Sequence, residues 1–88
     1  MAGYKVVLSK RASKGLARLS PAARRTAEQV IETYLTTTPL TPIPGKTKRL
    51  RGKLAYLMQY DLSYGDRLWY WVDQAEHKVY IEYIGPHP

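Results

Sequence analysis

The chain has 88 residues, and its fourteen Lys and Arg against seven Asp and Glu give a formal net charge of +7. This length predicts one small domain over residues 1–88 and excludes an enzyme with separate cofactor and substrate domains. The positive charge indicates a polyanionic partner, of which nucleic acid is the commonest. A merely soluble basic protein would have the same composition.

The chain contains no cysteine, which excludes a disulfide scaffold, a thiol nucleophile and a thiolate metal site. The first eight residues hold too short an apolar stretch for a signal peptide. No segment approaches the roughly 20 apolar residues of a membrane span. We therefore expect a cytoplasmic protein that does not associate with membranes.

The N-terminal half has the pattern of a strand followed by a helix. Residues 4–8 are rich in β-branched side chains and lie between a glycine and a serine, which predicts a strand. Ser9 or Ser13 can cap the helix that follows. Its apolar face at helical spacing is formed by Ala12, Leu16 and Leu19.

A second helix is predicted to begin at Ser20 and Pro21, because serine is favoured at the N-cap and proline at the first helical position. Apolar residues follow at helical spacing: Ala23, Ala27, Val30, Ile31 and Tyr34. Two amphipathic helices joined by a tight corner form a helical hairpin.

The C-terminal half has the pattern of a small sheet. Residues 36–45 contain three prolines and no charge, which predicts an irregular connector. Three strand-like runs follow at residues 57–62, 67–72 and 78–84, with links short enough to make neighbouring strands antiparallel. The predicted fold is α+β: an N-terminal strand, a helical hairpin, then an antiparallel sheet of three to four strands. The helices would cover one face and leave the other free for function.

Three segments of the C-terminal half resemble a known family. They are residues 50–54 (LRGKL), residues 64–70 (YGDRLWY) and residues 79–87 (VYIEYIGPH). In this order, and with the same order of elements over essentially the whole chain, the sequence resembles the RelE/ParE superfamily. These proteins are the toxins of bacterial type II toxin–antitoxin systems.

The resemblance implies a toxin that a cognate antitoxin protein holds inactive. In the RelE branch it implies a ribosome-dependent mRNA endoribonuclease, or mRNA interferase, which arrests growth by inhibiting translation. The 2′-hydroxyl of the mRNA would attack the neighbouring phosphate without a metal or other cofactor. In the ParE branch the same fold implies an inhibitor of DNA gyrase. A non-catalytic nucleic-acid or protein interaction module is a third interpretation, because a basic, aromatic α+β domain is sufficient for it.

Arg67 and His87 are the predicted catalytic residues. Arg67 matches the arginine that RelE-like toxins place at the scissile phosphate, to which a guanidinium can donate two parallel hydrogen bonds. The alternative for Arg67 is an ion pair with Asp61 or Asp66. His87 matches the C-terminal position where RNase members carry a catalytic histidine or arginine, and an imidazole exchanges protons near neutral pH.

Four further residues are predicted to bind the RNA. Arg51 and Lys53 flank a glycine that permits close backbone approach, and Lys48 adds salt-sensitive attraction. Trp69 shares a strand face with the catalytic arginine and can stack on a base. The alternative for these three basic residues is that they form a solvated surface and bind no RNA.

The proton acceptor is where the chain departs from the family. RelE toxins carry lysines on the strand before the central arginine. Counting back directly, those positions fall on Met58 and Tyr60; with one extra turn residue they fall on Gln59 and Asp61. The second register is favoured, because it sends Met58, Tyr60 and Leu62 to the core. Asp61, or Tyr60 in the first register, is the possible acceptor, although a carboxylate beside an arginine becomes a weaker base.

Overall fold

The computed structural model describes residues 3–63 and 65–87, so Tyr64 of the second resembling segment lies outside the described residues. The strands are β1 (Lys5–Leu8), β2 (Thr47–Arg49), β3 (Met58–Ser63), β4 (Asp66–Asp73) and β5 (Lys78–Pro86). The helices are α1 (Lys10–Arg18) and α2 (Pro21–Gln29), with a π-helical continuation over Val30–Leu35 and a 3₁₀ turn at Gly52–Leu54. This order confirms the predicted α+β fold. No helix among the described residues is long and apolar enough to cross a membrane.

The five strands form one sheet in the order β1-β5-β4-β3-β2. The pairs β2–β3, β3–β4 and β4–β5 are antiparallel, as predicted. β1 instead runs parallel to β5, with Lys5 opposite Lys78 and Leu8 opposite Ile81. The sheet is therefore mixed. No tight turn joins β1 to β5, so the short-link argument that makes the other pairs antiparallel does not apply to this pair.

Both helices begin at the predicted serines. The Oγ of Ser9 accepts a hydrogen bond from the Ala12 amide at 3.0 Å, and the Oγ of Ser20 accepts one from the Ala23 amide at 3.2 Å. Each serine satisfies an amide that the first turn leaves without a partner. Ser9, rather than Ser13, is the cap of α1, and this fixes where the chain leaves β1.

α1 packs closely on β5 because Gly15 has no side chain. A Cβ at Gly15 would lie 1.8 Å from the carbonyl oxygen of Ile84, which is a backbone atom that cannot rotate away. The Oγ of Ser9 also donates to the carbonyl of Glu82 at 3.1 Å. The start and the middle of α1 are thus fixed to the strand that leads to His87.

The core lies between the helices and one face of the sheet. Its fully buried members include Leu35, Leu68, Tyr70, Val79, Ile81 and Ile84. Tyr34 donates to the Thr41 carbonyl at 2.6 Å, so its hydroxyl is left as the acceptor for the Tyr70 hydroxyl at 3.4 Å. Burial raises the pKa of Tyr70 far above its usual range. These bonds fix the connector to the core.

The second face of the sheet is only partly open. Residues 50–57 fold over it, and the Leu50 amide donates to the Leu57 carbonyl at 3.0 Å. Leu57 and Gln59 are each 2% exposed, although both point away from the helices. The expectation that this whole face is free is therefore wrong. The cover forms because Leu50 and Leu57 remove apolar surface from water on this side.

Candidate functional site

The register of β3 and β4 decides which side chains meet. Asp61 lies opposite Arg67 and Gln59 lies opposite Trp69, with a register shift between Asp61 and Ser63 at the hairpin end. This is the register with one extra turn residue, as the sequence favoured. Alternation along the strands then places Gln59, Asp61, Arg67 and Trp69 on the face opposite the helices.

Arg67 is held by two contacts. Its Nε lies 3.4 Å from Asp61 Oδ1, and its Nη1 donates to the Asp66 carbonyl at 3.3 Å. The Nε is buried and has no hydrogen-bond partner among the described residues, so the contact with Asp61 is an ion pair and not a directed hydrogen bond. The ion pair that is the alternative interpretation of Arg67 is therefore present, with Asp61 as the partner. A guanidinium has five N–H donors, so these contacts leave donors for a phosphate.

Trp69, Gln59 and Asp61 form a chain of hydrogen bonds across the two strands. The Trp69 Nε1–H donates to Gln59 Oε1 at 3.0 Å, and Gln59 Nε2 donates to Asp61 Oδ1 at 3.0 Å. The same Oδ1 faces Arg67. Trp69, the predicted stacking residue, is therefore connected to Arg67, the predicted phosphate ligand, through the buried Gln59 amide and the Asp61 carboxylate.

His87, Lys48 and Arg51 meet beside this chain of hydrogen bonds, in a groove of about 360 Å³. The groove is lined by Lys48, Leu50, Arg51, Leu54, Gln59, Trp69 and His87. The His87 amide donates to the Gly65 carbonyl at 3.1 Å, which continues the pairing beyond β5 and fixes the chain next to the groove. An imidazole, two cations and an indole thus share one concave surface. We call this surface the His87 groove.

Solved structures with the same fold are toxins of toxin–antitoxin systems. The RelBE2 toxin–antitoxin complex of Mycobacterium tuberculosis matches with a TM-score of 0.79 and 24% identity, over 97% of this chain and 99% of that chain. The YoeB/ParE toxin of Agrobacterium tumefaciens matches with a TM-score of 0.80 and 17% identity, over 96% of this chain and 99% of that chain. The archaeal RelE–RelB complex of Pyrococcus horikoshii matches with a TM-score of 0.75 and 23% identity, over 94% of this chain and 93% of that chain.

This chain has the RelE/YoeB toxin fold. Each match covers nearly all of this chain and nearly all of the compared chain, so the similarity extends over the complete arrangement of helices and sheet. A scan against protein-family models and a search of curated proteins found no match.

Within this RelE/YoeB fold, the structure brings most of the predicted site residues together. Lys48, Arg51, Trp69 and His87 line one groove. Arg67 and Asp61 lie on the same sheet face, two residues further along each strand toward the β3–β4 turn. Lys53 is exposed on the 3₁₀ turn and does not line the groove.

Tyr60 does not belong to this site. It lies opposite Leu68, on the face that packs against the helices, and its ring is 5.6 Å from that of Tyr34. Burial, and to a lesser degree Tyr34, raise the pKa of Tyr60. The alternative acceptor from the first register is wrong, because the extra turn residue moves Tyr60 to the far side of the sheet. Asp61 alone keeps the predicted position beside Arg67.

A bulge in β5 supplies site features that the sequence did not indicate. Trp69 pairs with Tyr83, but Tyr70 pairs with Ile81, so Glu82 is an extra residue. The bulge places Tyr83 against Trp69, with ring centroids 5.2 Å apart, while Glu82 Oε2 accepts from the Trp71 indole at 2.9 Å. Both indole N–H groups on this face are therefore satisfied by protein atoms.

Tyr83 also fixes the backbone next to His87. Its hydroxyl donates to the Pro86 carbonyl, and a Cβ at Gly85 would lie 2.9 Å from that hydroxyl oxygen. Gly85 suits its φ of +156°, which residues with a side chain rarely adopt, and a Cβ there would displace the Tyr83 hydroxyl. Among residues 3–63 and 65–87, no group of three or more His, Asp or Glu is placed to hold a metal ion.

Proposed function

We propose that this protein is the toxin of a type II toxin–antitoxin pair and that it cleaves mRNA on the ribosome. The observation that carries the proposal is the His87 groove, in which an imidazole, two cations and an indole lie beside the Arg67–Asp61 pair. Attack of a ribose 2′-oxygen on the neighbouring phosphate requires groups that exchange protons and cations that stabilise the phosphoryl charge, and the site contains both. The RelE/YoeB fold supports the same proposal.

In the proposed reaction the ribose 2′-oxygen attacks the adjacent phosphorus. The new O–P bond gives a 2′,3′-cyclic phosphate, and the bond from phosphorus to the 5′-oxygen of the next nucleotide breaks. His87 protonates the leaving 5′-oxygen, and Arg67 neutralises the charge that collects on the phosphoryl oxygens. Asp61 is the proposed acceptor of the 2′-proton. One of its oxygens is engaged by Gln59 and Arg67, which leaves Oδ2 for this role.

RNA binding is proposed to use the rest of the groove. Trp69 offers an indole face that is held in place at its nitrogen and by Tyr83, so a base can stack on it without ordering the ring first. Lys48 and Arg51, which also line the groove, are proposed to bind the flanking phosphates. Lys53, outside the groove, adds a salt-sensitive attraction to mRNA or ribosomal RNA.

An antitoxin is the proposed protein partner. The structures from Mycobacterium tuberculosis and Pyrococcus horikoshii are complexes of a toxin with its antitoxin. A toxin that acts on the cell's own ribosomes requires such restraint, and we place both partners in the cytoplasm. Inhibition of DNA gyrase is the second candidate function. It is favoured by Gln59 and Asp61, which stand where the resemblance to RelE toxins implies lysines.

The test is induced expression without an antitoxin, with new mRNA 5′ ends mapped in cells that carry the wild type or one of two matched histidine variants. His87→Asn removes the proposed acid. His77→Asn is the control, because His77 lies on the distant β4–β5 turn and asparagine tolerates its φ of 54°. Cleavage within coding sequences that requires His87 and not His77 supports the proposal. Arrest with intact mRNA and damaged DNA supports the gyrase alternative.

A further inference from the structure

Gln59 is the one polar or charged residue that is fully buried in the described chain, with 2% of its surface exposed. A buried amide is unfavourable unless its donor and acceptor are both satisfied. Gln59 meets this condition at both ends, although no backbone group takes part. Its two partners, Trp69 and Asp61, both belong to the proposed site.

The partners determine the orientation of the Gln59 amide. An indole nitrogen can only donate, so the oxygen of Gln59 must face Trp69 Nε1. The NH₂ group must then face Asp61, where Nε2 lies 3.0 Å from Oδ1. The amide cannot be reversed without placing two donors against each other at Trp69. Gln59 therefore presents its donor to Asp61 permanently.

Asp61 Oδ1 is consequently held from two sides. Gln59 Nε2 donates to it at 3.0 Å, and Arg67 Nε lies 3.4 Å away on the neighbouring strand. The Asp61 side chain is 43% exposed and the Arg67 side chain 22% exposed, so neither is immobilised by burial alone. The fixed element in this group of side chains is the buried amide.

We propose that Gln59 is a positioning residue that holds the Arg67 guanidinium in place through Asp61. The link to catalysis rests on the proposed function, since it requires Arg67 to act on a phosphate. The positioning of Arg67 by Gln59 does not depend on the proposed function. A lysine at position 59 could not accept the indole proton, and a leucine would leave both Trp69 Nε1 and Asp61 Oδ1 without this partner.

The first measurement is the order parameter of the Arg67 Nε–H bond by ¹⁵N relaxation, which reads the guanidinium directly whether or not RNA is cleaved. Gln59→Leu removes both hydrogen bonds. Gln59→Glu keeps the acceptor for Trp69 but places a carboxylate against Asp61, and it serves as well if the leucine variant does not fold. Gln74→Leu and Gln74→Glu are the matched controls, because Gln74 is exposed on the β4–β5 turn.

We expect an order parameter near that of rigid backbone, about 0.85, in the wild type and both controls, and a value below about 0.6 in the Gln59 variants. An Arg67 that stays equally rigid in Gln59→Leu and Gln59→Glu would overturn the inference.

The second measurement is a double-mutant cycle on cleavage. Gln59→Leu is expected to lower kcat at least about tenfold with little change in KM. In an Arg67→Lys background the same change should have almost no further effect, since Gln59 is proposed to act by positioning the Arg67 guanidinium. Additive losses would contradict the inference. If the wild type cleaves no RNA, the proposed function fails, and the order parameter still decides whether Gln59 positions Arg67.

Discussion

Asp61 and Arg67 lie directly opposite each other on β3 and β4, with Asp61 Oδ1 3.4 Å from Arg67 Nε. Between described residues of this chain, this is the only side-chain ion pair. Fourteen Lys and Arg side chains are present, and the guanidinium that is paired is the one predicted to contact the scissile phosphate. The pair orients Arg67 and leaves its remaining donors available.

The paired N–H donors of the planar Arg67 guanidinium are expected to contribute more to the cleavage rate than its positive charge alone. Arg67→Lys keeps the positive charge but loses the paired donors, so we expect single-turnover cleavage of ribosome-bound mRNA to slow by about 10²-fold or more. Arg25→Lys is the control, because Arg25 is exposed on α2, away from the site. A rate for Arg67→Lys within about twofold of the wild type would exclude Arg67 from the reaction.

Arg51 is expected to bind a phosphate in the His87 groove. Its loss should weaken RNA binding and reduce the slope of log K against log salt by about 0.7 to 0.9, the value for one phosphate contact. Fluorescence titration of a single-stranded RNA at several salt concentrations measures this slope. An equal slope in Arg51→Ala and in the control Arg25→Ala would show that Arg51 belongs to the solvated surface.

Much of the fold could be predicted from local patterns. Ser9, Ser20 and Pro21 mark helix starts by hydrogen-bonding chemistry that a few residues determine. The alternation of Met58 and Leu62 with polar neighbours selected the correct β3–β4 register, because a slip by one residue would expose the core face.

The remaining features depend on contacts between distant residues. The parallel pairing of β1 with β5 joins the two ends of the chain, and no nearby residue encodes it. The bulge at Glu82 gives no local signal, since an extra residue appears only against the partner strand. The β3–β4 register predicts that Gln59 lies near Arg67. Its hydrogen bond to the Trp69 indole can be recognised only from the position of Trp69 Nε1 in the folded protein.

Gly15 is expected to be required for stability. The Cβ of Gly15→Ala would lie 1.8 Å from the Ile84 carbonyl oxygen, so α1 must move away from β5. We expect a loss of about 1–3 kcal/mol in the free energy of unfolding, measured by urea denaturation. Ser13→Ala, at an exposed position of the same helix, should change it by no more than about 0.5 kcal/mol. Equal stability of the two variants would contradict the close packing of α1 on β5.

The buried Tyr70 hydroxyl is expected to limit stability at high pH. Burial raises its pKa in the folded state, so above about pH 10 the unfolded chain loses this proton while the folded chain keeps it. Its contribution is fully present below pH 10 and decreases as the pH rises further, by up to about 1.4 kcal/mol per pH unit. Tyr70→Phe should flatten this decrease. An unchanged pH dependence in the variant would show that Tyr70 ionises normally.

The proposed attack of the 2′-hydroxyl is best tested with purified protein, programmed ribosomes and an mRNA with a single 2′-deoxy substitution 5′ to the mapped cleavage site. We predict that the all-ribose mRNA is cleaved to a 2′,3′-cyclic phosphate and a 5′-hydroxyl and that the 2′-deoxy mRNA stays intact. His87→Asn should slow cleavage of the all-ribose mRNA. Cleavage of the 2′-deoxy mRNA, or no cleavage by a protein that still arrests growth, would contradict the proposed reaction.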